Sequence, residues 1–401
     1  MKGPLRILHC PGMIAGNPQS IARAERELGL QSWAVALAQN KWQFASDEVL
    51  MSDSPGSLRS EARLWRLMFK ALRNYDIIHY NAGSSLIAPL VSRHLRTHGT
   101  SYPKLLRLAH DVYRRVFGMN DVALLKRAGK VVFVTYQGTD ARQVDYCKAN
   151  FAINNFTDID QESLGPEAFL DRAALDDWKR WRISYFDKYA DRIFALNPDL
   201  LHVLPPRAQF LPYASVDPRE WMPCENITSD GPLRIIHAPS GRISKGTKYL
   251  LEAVKTLQDE GLDFEFHLIE NIPHHEVKNI YRSADLVVDQ LLIGWYGALA
   301  VELMALGKPV IAYIRDEDLR FIPPAMKEEL PLVNANPHTI YDVLKRCLSM
   351  ERSDLRAIGA RSRAFVERWH DPLKIAAQLK EEAEQILLEK RGNRLAKRVR
   401  P

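Results

Sequence analysis

Short apolar runs alternate with amphipathic segments along most of the chain. In the first half, Leu5-Arg6-Ile7-Leu8-His9-Cys10, Ser32 to Leu37, Ile77 to Tyr80, Val131 to Thr135, Ile193 to Leu196 and Gln209 to Leu211 read as strands. In the second half, Leu233 to Ile236, Phe264 to Ile269, Leu286 to Val288 and Pro309 to Tyr313 do the same. Helical periodicity separates them: Pro18 to Leu28, Leu58 to Arg73, Ala168 to Lys188, the segment after Gly246, His275 to Arg282 and Ala298 to Leu306. Strands separated by helices are the βαβ signature, so an α/β fold with parallel sheets is expected.

An internal echo divides the chain. Leu5-Arg6-Ile7-Leu8-His9-Cys10-Pro11 returns 228 residues later as Leu233-Arg234-Ile235-Ile236-His237-Ala238-Pro239. Each copy enters a Gly-containing turn that leads into a helix. Two such openings predict two doubly wound units, each starting at its first βα turn. Pro218, Pro223 and Pro232 break regular structure between them, which places domains at 1–217 and 218–372. Pro372 breaks the chain again. Ala376, Leu379, Ala383 and Ile386 then form one stripe of a final helix, within a closing segment 373–401. Sheets of this kind bind ligands at the carboxyl ends of their strands, so a cleft between the two units is the expected site.

Composition narrows the field. No long uncharged apolar stretch predicts a transmembrane helix, and MKGPLRILHCPG runs straight into a strand and does not read as a signal peptide. Four scattered cysteines fit a reducing cytoplasm and no structural metal. The net charge of +6 belongs to the last segment, KRGNRLAKRVRP, with six cations and no acid. The rest of the chain balances at 49 cations and 49 acids, which argues against a nucleic-acid-binding face. Residues 390–400 are a candidate for peripheral contact with anionic lipid, or a solvated end.

Candidate chemistry concentrates in two stretches. HAPSGRISKGTKYLLEAV sets Arg242 and Lys245 between Gly241 and Gly246, at the start of a helix. A helix N-terminus offers free N–H donors and partial positive charge, so two cations beside it make either an anion cradle or a solvated basic turn. GWYGALAVELMALGKPVIAY sets Glu302 in an apolar helix opened by Gly297 and ended by Gly307. A carboxylate among apolar neighbours needs a partner, such as ligand hydroxyls, unless it faces solvent.

The block Gly297…Glu302-Leu-Met-Ala-Leu-Gly307-Lys308-Pro309-Val310-Ile311 resembles the donor-site signature of family-4 glycosyltransferases, and Gly241-Arg242…Lys245-Gly246 is similar to that family's Gly-Arg…Lys-Gly turn. LRILHCPGMIAGNP, YDIIHYNAG, VVFVTYQGTDAR and DRIFALNPDLLHVLP carry a looser likeness through the first half. The resemblance implies the GT-B fold, two facing Rossmann-like domains with an interdomain cleft. It also implies that Arg242 and Lys245 hold the diphosphate of a nucleotide-sugar donor and that Glu302 binds its ribose. The loop from Gly12 through Gly16 to Asn17 would approach from the other side. The N-terminal domain would take the acceptor, the C-terminal domain the donor, and the last helix would cross back to brace the first domain.

The sequence departs from the family in three places. Gly294 stands where the family has its first Glu, next to the transferred sugar. Arg242 and Lys245 are two residues closer together than usual. Gln137, before Gly138, replaces a common His and cannot act as acid or base. Trp295 and Tyr296 are candidates to stack on a sugar or base, or to pack. Asp140 and Arg142 either meet the acceptor or serve as a cap and a surface charge. His79 faces either the cleft or the core. Asp158-Ile159-Asp160 reads as a loop, and His274-His275 as adjacent residues pointing apart. The expected activity is a cytoplasmic, metal-independent and retaining transfer of sugar, without a cofactor, from a nucleotide-sugar to a glycan or lipid-linked glycan of a surface polysaccharide. The alternatives are a catalytically inactive sugar-binding or assembly subunit, and a sugar-nucleotide epimerase or phosphorylase on the same fold.

Overall fold

The computed structural model describes residues 3–12, 14–38, 44–51, 58–87, 112–113, 116–158, 161–223, 231–270, 272 and 274–399. Two parallel sheets organise them. The first contains β1 (Arg6–Cys10), β2 (Gln31–Ala38), β3 (Glu48–Met51), β4 (Ile77–Asn81), β5 (Val131–Tyr136), β6 (Arg192–Ala195) and β7 (Gln209–Phe210), in the order β3-β2-β1-β4-β5-β6-β7. The second contains β8 (Leu233–His237), β9 (Phe264–Leu268), β10 (Leu286–Val288), β11 (Val310–Ala312) and β12 (Val333–Asn334), in the order β12-β11-β10-β8-β9. Strand order reverses between β1 and β4 in one sheet and between β8 and β10 in the other. These are the topological switch points, where the loops part and leave a crevice.

The strands are apolar because helices cover both faces. β5 is buried at every residue, and β4 runs beside it with Ile78 opposite Val132 and His79 opposite Phe133. Two edge strands escaped the sequence pattern. β3 is only four residues long and β12 only two, too short to set up a recognisable run. Among the described residues, the helices Asn120–Arg127, Val144–Asn150, Pro324–Glu328, Ile340–Leu348 and Arg352–Trp369 also went unread. The predicted helices appear with ends shifted by a residue or two, except that the helix predicted from Ala168 extends over Gln161–Tyr189.

Residues 211–223 pass from the first sheet towards the second, and 224–230, within the expected domain boundary, lie outside the described residues. The last helix, Pro372–Val399, returns to the first lobe and packs on the helix Asn17–Glu27. Ile375, Ala376, Leu379, Ala383 and Ile386 are all buried along it. Glu382 receives the Arg192 guanidinium at 2.6 Å, and Lys390 Nζ donates to Asp191 at 3.0 Å. Lys390 is therefore tied to the fold, while side chains from 393 onward, with most of the basic tail, lie outside the described residues. Among the described residues no helix is long and apolar enough to cross a membrane.

Candidate functional site

A cavity of about 540 Å³ opens between the carboxyl ends of the two sheets. From the second lobe come the turn after β8, the loop after β10 and the helix Ala298–Ala305. From the first lobe come the loop after β5, with Gln137, Thr139 and Arg142, and Asn197 after β6.

The floor is electrostatically organised. Gly297 precedes the helix Ala298–Ala305, and its N–H donates to Asp289 Oδ2 at 2.6 Å. Val301 N–H closes the first helical turn onto Gly297 O, so the amides of Ala298, Leu299 and Ala300 precede the helical ladder. Gly297, Ala298 and Leu299 line the cavity. Lys245 stands beside them, its Nζ 3.8 Å from Asp289 Oδ1 and bonded to Gln290 Oε1. Burial lowers the Lys245 pKa, against the pull of Asp289 and with the help of the Arg142 charge. An anion arriving here would reverse that penalty. A Cβ at Gly297 would sit 3.3 Å from Asp289 and 3.4 Å from Lys245 Nζ, so its bare backbone permits this close approach.

Glu302 lies one turn further along that helix, 5% exposed, on the same face as Ala298, and lines the cavity. Burial raises the Tyr281 phenol pKa, and the charges of Glu302 and Asp289 add to the rise. Ile269, Ile272, Val277, Tyr281 and Leu299 form a largely apolar wall around this end. Gly241 also lines the cavity, with an extended backbone at the head of the Arg242–Lys245 turn. Gly246 does not line it. Gly246 has φ +76° and lies against Leu291 and Leu292, so its role is to turn the chain into the helix Thr247–Asp259.

Arg242 is not part of the cavity wall. Its guanidinium makes a two-pronged pair with Glu270, with Nε to Oε1 at 2.8 Å and Nη2 to Oε2 at 2.5 Å, and it is half exposed. The two cations part company: Lys245 points inward, while Arg242 rests on Glu270 at the rim. The buried cation of the opposite wall is Arg142, held bidentately by Asp199 at 2.6 and 3.0 Å. It is a surface charge neither in exposure nor in pairing.

Several expected contacts lie elsewhere. Trp295 and Tyr296 are fully buried, with ring centroids 4.4 Å apart. Trp295 meets Phe210 of β7 edge-on, and Tyr296 Oη bonds His370 Nε2 at 2.9 Å. Both rings pack the core shared by the lobes and present no face to a ligand. Gly294 has φ +81°, and a Cβ there would meet the Arg315 guanidinium at 2.8 Å. Arg315 bonds Asp318 and reaches across to Ile153 O at 2.9 Å, stacking on Phe151. A cross-lobe cation thus occupies the neighbourhood of the residue expected near the sugar. His79 is buried in the sheet, Nε2 bonded to Thr135 Oγ1 at 2.7 Å, and burial beside His9 holds its pKa well below normal. Asp140 folds back to accept the N–H groups of Gln137 and Gly138, at 3.0 and 2.6 Å, and shapes the loop.

The first βα loop is partly in place. Ala15 lines the cavity, but Gly16 packs on Phe44, Gly12 sits over Asn81 and Ala82, and Asn17 is buried, accepting Ala214 N–H at 2.6 Å. Met13 lies outside the described residues. Gln137 does line the cavity. It is 6% exposed, and neither side-chain amide atom has a hydrogen-bond partner among the described residues. Asn197 and Tyr213, which sequence reasoning did not single out, stand next to it: Asn197 Nδ2 donates to Gln137 O at 2.7 Å, and Tyr213 Oη donates to Asn197 Oδ1 at 3.1 Å. Asp289 was missed too, since a carboxylate after a strand carries no local signal. Asp158 receives Lys248 and Tyr249 at 2.7 and 2.9 Å, while 159–160 lie outside the described residues. The side chains of His274 and His275 do as well.

No protein-family model matches the chain, and no curated protein does. Solved structures do match over nearly its whole length. A sucrose-phosphate synthase from Thermosynechococcus elongatus is 15% identical, with a TM-score of 0.57 over 97% of this chain and 100% of that one. HepE from Anabaena in complex with UDP-glucose is 11% identical, with a TM-score of 0.56 over 95% of this chain and 100% of that one. A glycosyltransferase from Rickettsia africae is 14% identical, with a TM-score of 0.55 over 96% and 99%. At these identities the likeness is one of fold. The chain has the two-lobed GT-B architecture.

Proposed function

We propose that the protein is a GT-B glycosyltransferase that moves a sugar from a nucleoside diphosphate to an acceptor hydroxyl. The carrying observation is the convergence, in one interlobe cavity, of Lys245, the head of the helix Ala298–Ala305 and Glu302. Each fits one part of such a donor. The apolar wall of Ile269, Ile272, Val277 and Tyr281 takes the base. Glu302 accepts hydrogen bonds from the ribose hydroxyls. The diphosphate rests on the helix amides and Lys245. As the glycosidic bond breaks, negative charge builds on the departing diphosphate, and fixed positive groups stabilise that charge. These groups supply the electrostatic role a metal would otherwise take. Arg242 joins them if the incoming phosphate draws it from Glu270.

Two of the similar structures, a sucrose-phosphate synthase and HepE in complex with UDP-glucose, support a nucleotide-sugar as partner. On this reading the second lobe, 218–372, binds donor, and the first, 1–217, presents the acceptor. Gln137, Asn197 and Tyr213 face the transferred sugar or acceptor. The acceptor is a glycan or lipid-linked glycan, and transfer retains the anomeric configuration as in family-4 enzymes.

A panel of UDP, GDP, ADP and CMP in thermal melting tests the donor site, because a ligand of the folded state raises Tm. One nucleoside diphosphate should raise it, and Glu302→Ala should abolish most of the rise. Donor consumption with and without glycan acceptors then separates transfer from its rivals. Turnover to an isomeric nucleotide-sugar without acceptor would mean an epimerase, and tight binding without turnover an inactive subunit.

A further inference from the structure

We infer that the first-lobe wall of the cavity holds a subsite for a carboxylate carried by a sugar, built from Arg142, Gln137 and Asn155. That the carrier is a sugar rests on the glycosyl transfer proposed above; the anion site itself is read from the side chains. All three are buried yet unfinished. Arg142 is 5% exposed and spends Nε and Nη2 on Asp199, while its Nη1 makes no hydrogen bond to the described residues. A Cβ at Gly138 would stand 3.5 Å from that Nη1, so the bare backbone there leaves this end of the guanidinium uncovered at the cavity wall. Both side-chain amide atoms of Gln137 are unbonded among the described residues, although its backbone is fixed by Asp140 and Asn197. Asn155 is 3% exposed, lines the same cavity and makes no side-chain hydrogen bond to the described residues. Buried polar groups are nearly always bonded, so three left open on one wall call for a ligand that completes them.

The chemistry of that ligand follows from what the wall lacks. The guanidinium end has no acceptor, and each carboxamide has two N–H groups to one carbonyl, so the open groups are mainly donors. The acids that line the cavity among the described residues, Glu270, Asp289 and Glu302, all belong to the second lobe. Behind the first-lobe wall, Asp199 is spent on Arg142 and Asp140 on the amides of Gln137 and Gly138. A carboxylate can accept from the guanidinium end and a carboxamide together, through charge-assisted bonds that a neutral hydroxyl does not make. Lys245 strengthens the preference. Burial lowers its pKa, and the Arg142 charge adds to the fall, so the two cations act on each other and an anion at Arg142 relieves both. A dianionic phosphate fits less well, because Asp199 already offsets Arg142 and Lys245 serves the diphosphate.

The test is ligand-observed NMR titration of the full chain with free glucuronate, glucose and glucose 6-phosphate. Glucuronate should bind about tenfold or more tightly than glucose, the difference a charge-assisted bond makes. Gln137→Glu keeps the side chain's volume, loses no bond among the described residues and sets a competing carboxylate at the subsite, so the preference should vanish. Asn155→Asp, on a different loop, should weaken it in the same direction, and cooperative melting of each variant shows that it folds. Comparing UDP-glucuronate with UDP-glucose then locates the carboxylate. A preference in the nucleotide-linked pair puts it on the transferred sugar, and a preference only for free glucuronate puts it on the acceptor. Equal binding of glucuronate and glucose, tighter binding of glucose 6-phosphate than of glucuronate, or a preference that survives the variants would each overturn the inference. UDP, GDP and ADP alone test the donor site without a sugar. If one of them binds while glucuronate is no better than glucose, the subsite falls and the donor site stands; if none binds while glucuronate still does, the donor site falls and the subsite stands.

Discussion

Replacing Lys245 by Met removes the positive charge beside the amides of Ala298 and Leu299 and keeps much of the side chain's volume. The Lys245 side chain is 16% exposed and stands 3.8 Å from the buried Asp289 carboxylate. A phosphate oxygen about 4 Å from a cation at an effective dielectric of about 20 gains about 4 kcal/mol. Asp289 opposes part of this. The expected loss on substitution is therefore about 3 kcal/mol, about a hundredfold in Kd. The loss should depend on the phosphates. Titration calorimetry of nucleoside, monophosphate and diphosphate of the same base should show the nucleoside unaffected and the diphosphate affected most. The pH dependence has a definite sign. Burial lowers the Lys245 pKa, so the free protein gains stability with rising pH between that lowered value and the ordinary lysine range, where the unfolded chain holds more protons. Diphosphate binding favours the protonated amine, so it should draw in protons and weaken as pH rises through the same window. Lys245→Met should abolish both effects. Nucleoside and diphosphate losing affinity equally in Lys245→Met would refute the assignment and point to a general collapse of the cavity.

Other expectations follow from where side chains pack. Trp295→Ala should cost about 3 to 5 kcal/mol of stability by denaturant unfolding, because the ring is fully buried against Phe210 and Tyr296; an unchanged midpoint with lost ligand binding would restore it as a stacking platform. Leu379→Ala should cost about 2 to 5 kcal/mol by the same assay, since it anchors the returning helix in the first lobe. Burial holds the His370 pKa near 4, so this histidine contributes stability above pH 6.5 that is lost as pH falls towards 4, about 3 kcal/mol in full. Melting between pH 7 and 4.5 should fall steeply in wild type and less steeply in His370→Gln; identical slopes would contradict this. Gly294→Glu, which restores the family residue, should destabilise the fold, because φ is +81° and Arg315 fills the space; a stable variant with raised activity would show that Arg315 moves aside.

The strands of the two sheets were legible because parallel strands covered on both faces are written as short apolar runs, as at Val131 to Tyr136 and Leu286 to Val288. The echo between Leu5 and Leu233 fell on β1 and β8, each flanking its sheet's switch point. What could not be read was direction and pairing. An aromatic pair beside a glycine looks alike whether it faces a cleft or a core, so Trp295 and Tyr296 were ambiguous until Phe210 and His370 were in view. Arg142 and Asp199 are 57 residues apart, and nothing local joins them. Arg242 and Lys245 look like twins in sequence; only the position of Glu270, at the end of another strand, distinguishes them.

The most direct measurement is a crystal structure of the protein with the nucleoside diphosphate that stabilises it. The account expects the diphosphate on the amides of Ala298 and Leu299 with Lys245 Nζ in hydrogen-bonding range, and the ribose hydroxyls on Glu302. A nucleotide bound outside the interlobe cavity, or one in the cavity whose phosphates face away from Lys245, would contradict it.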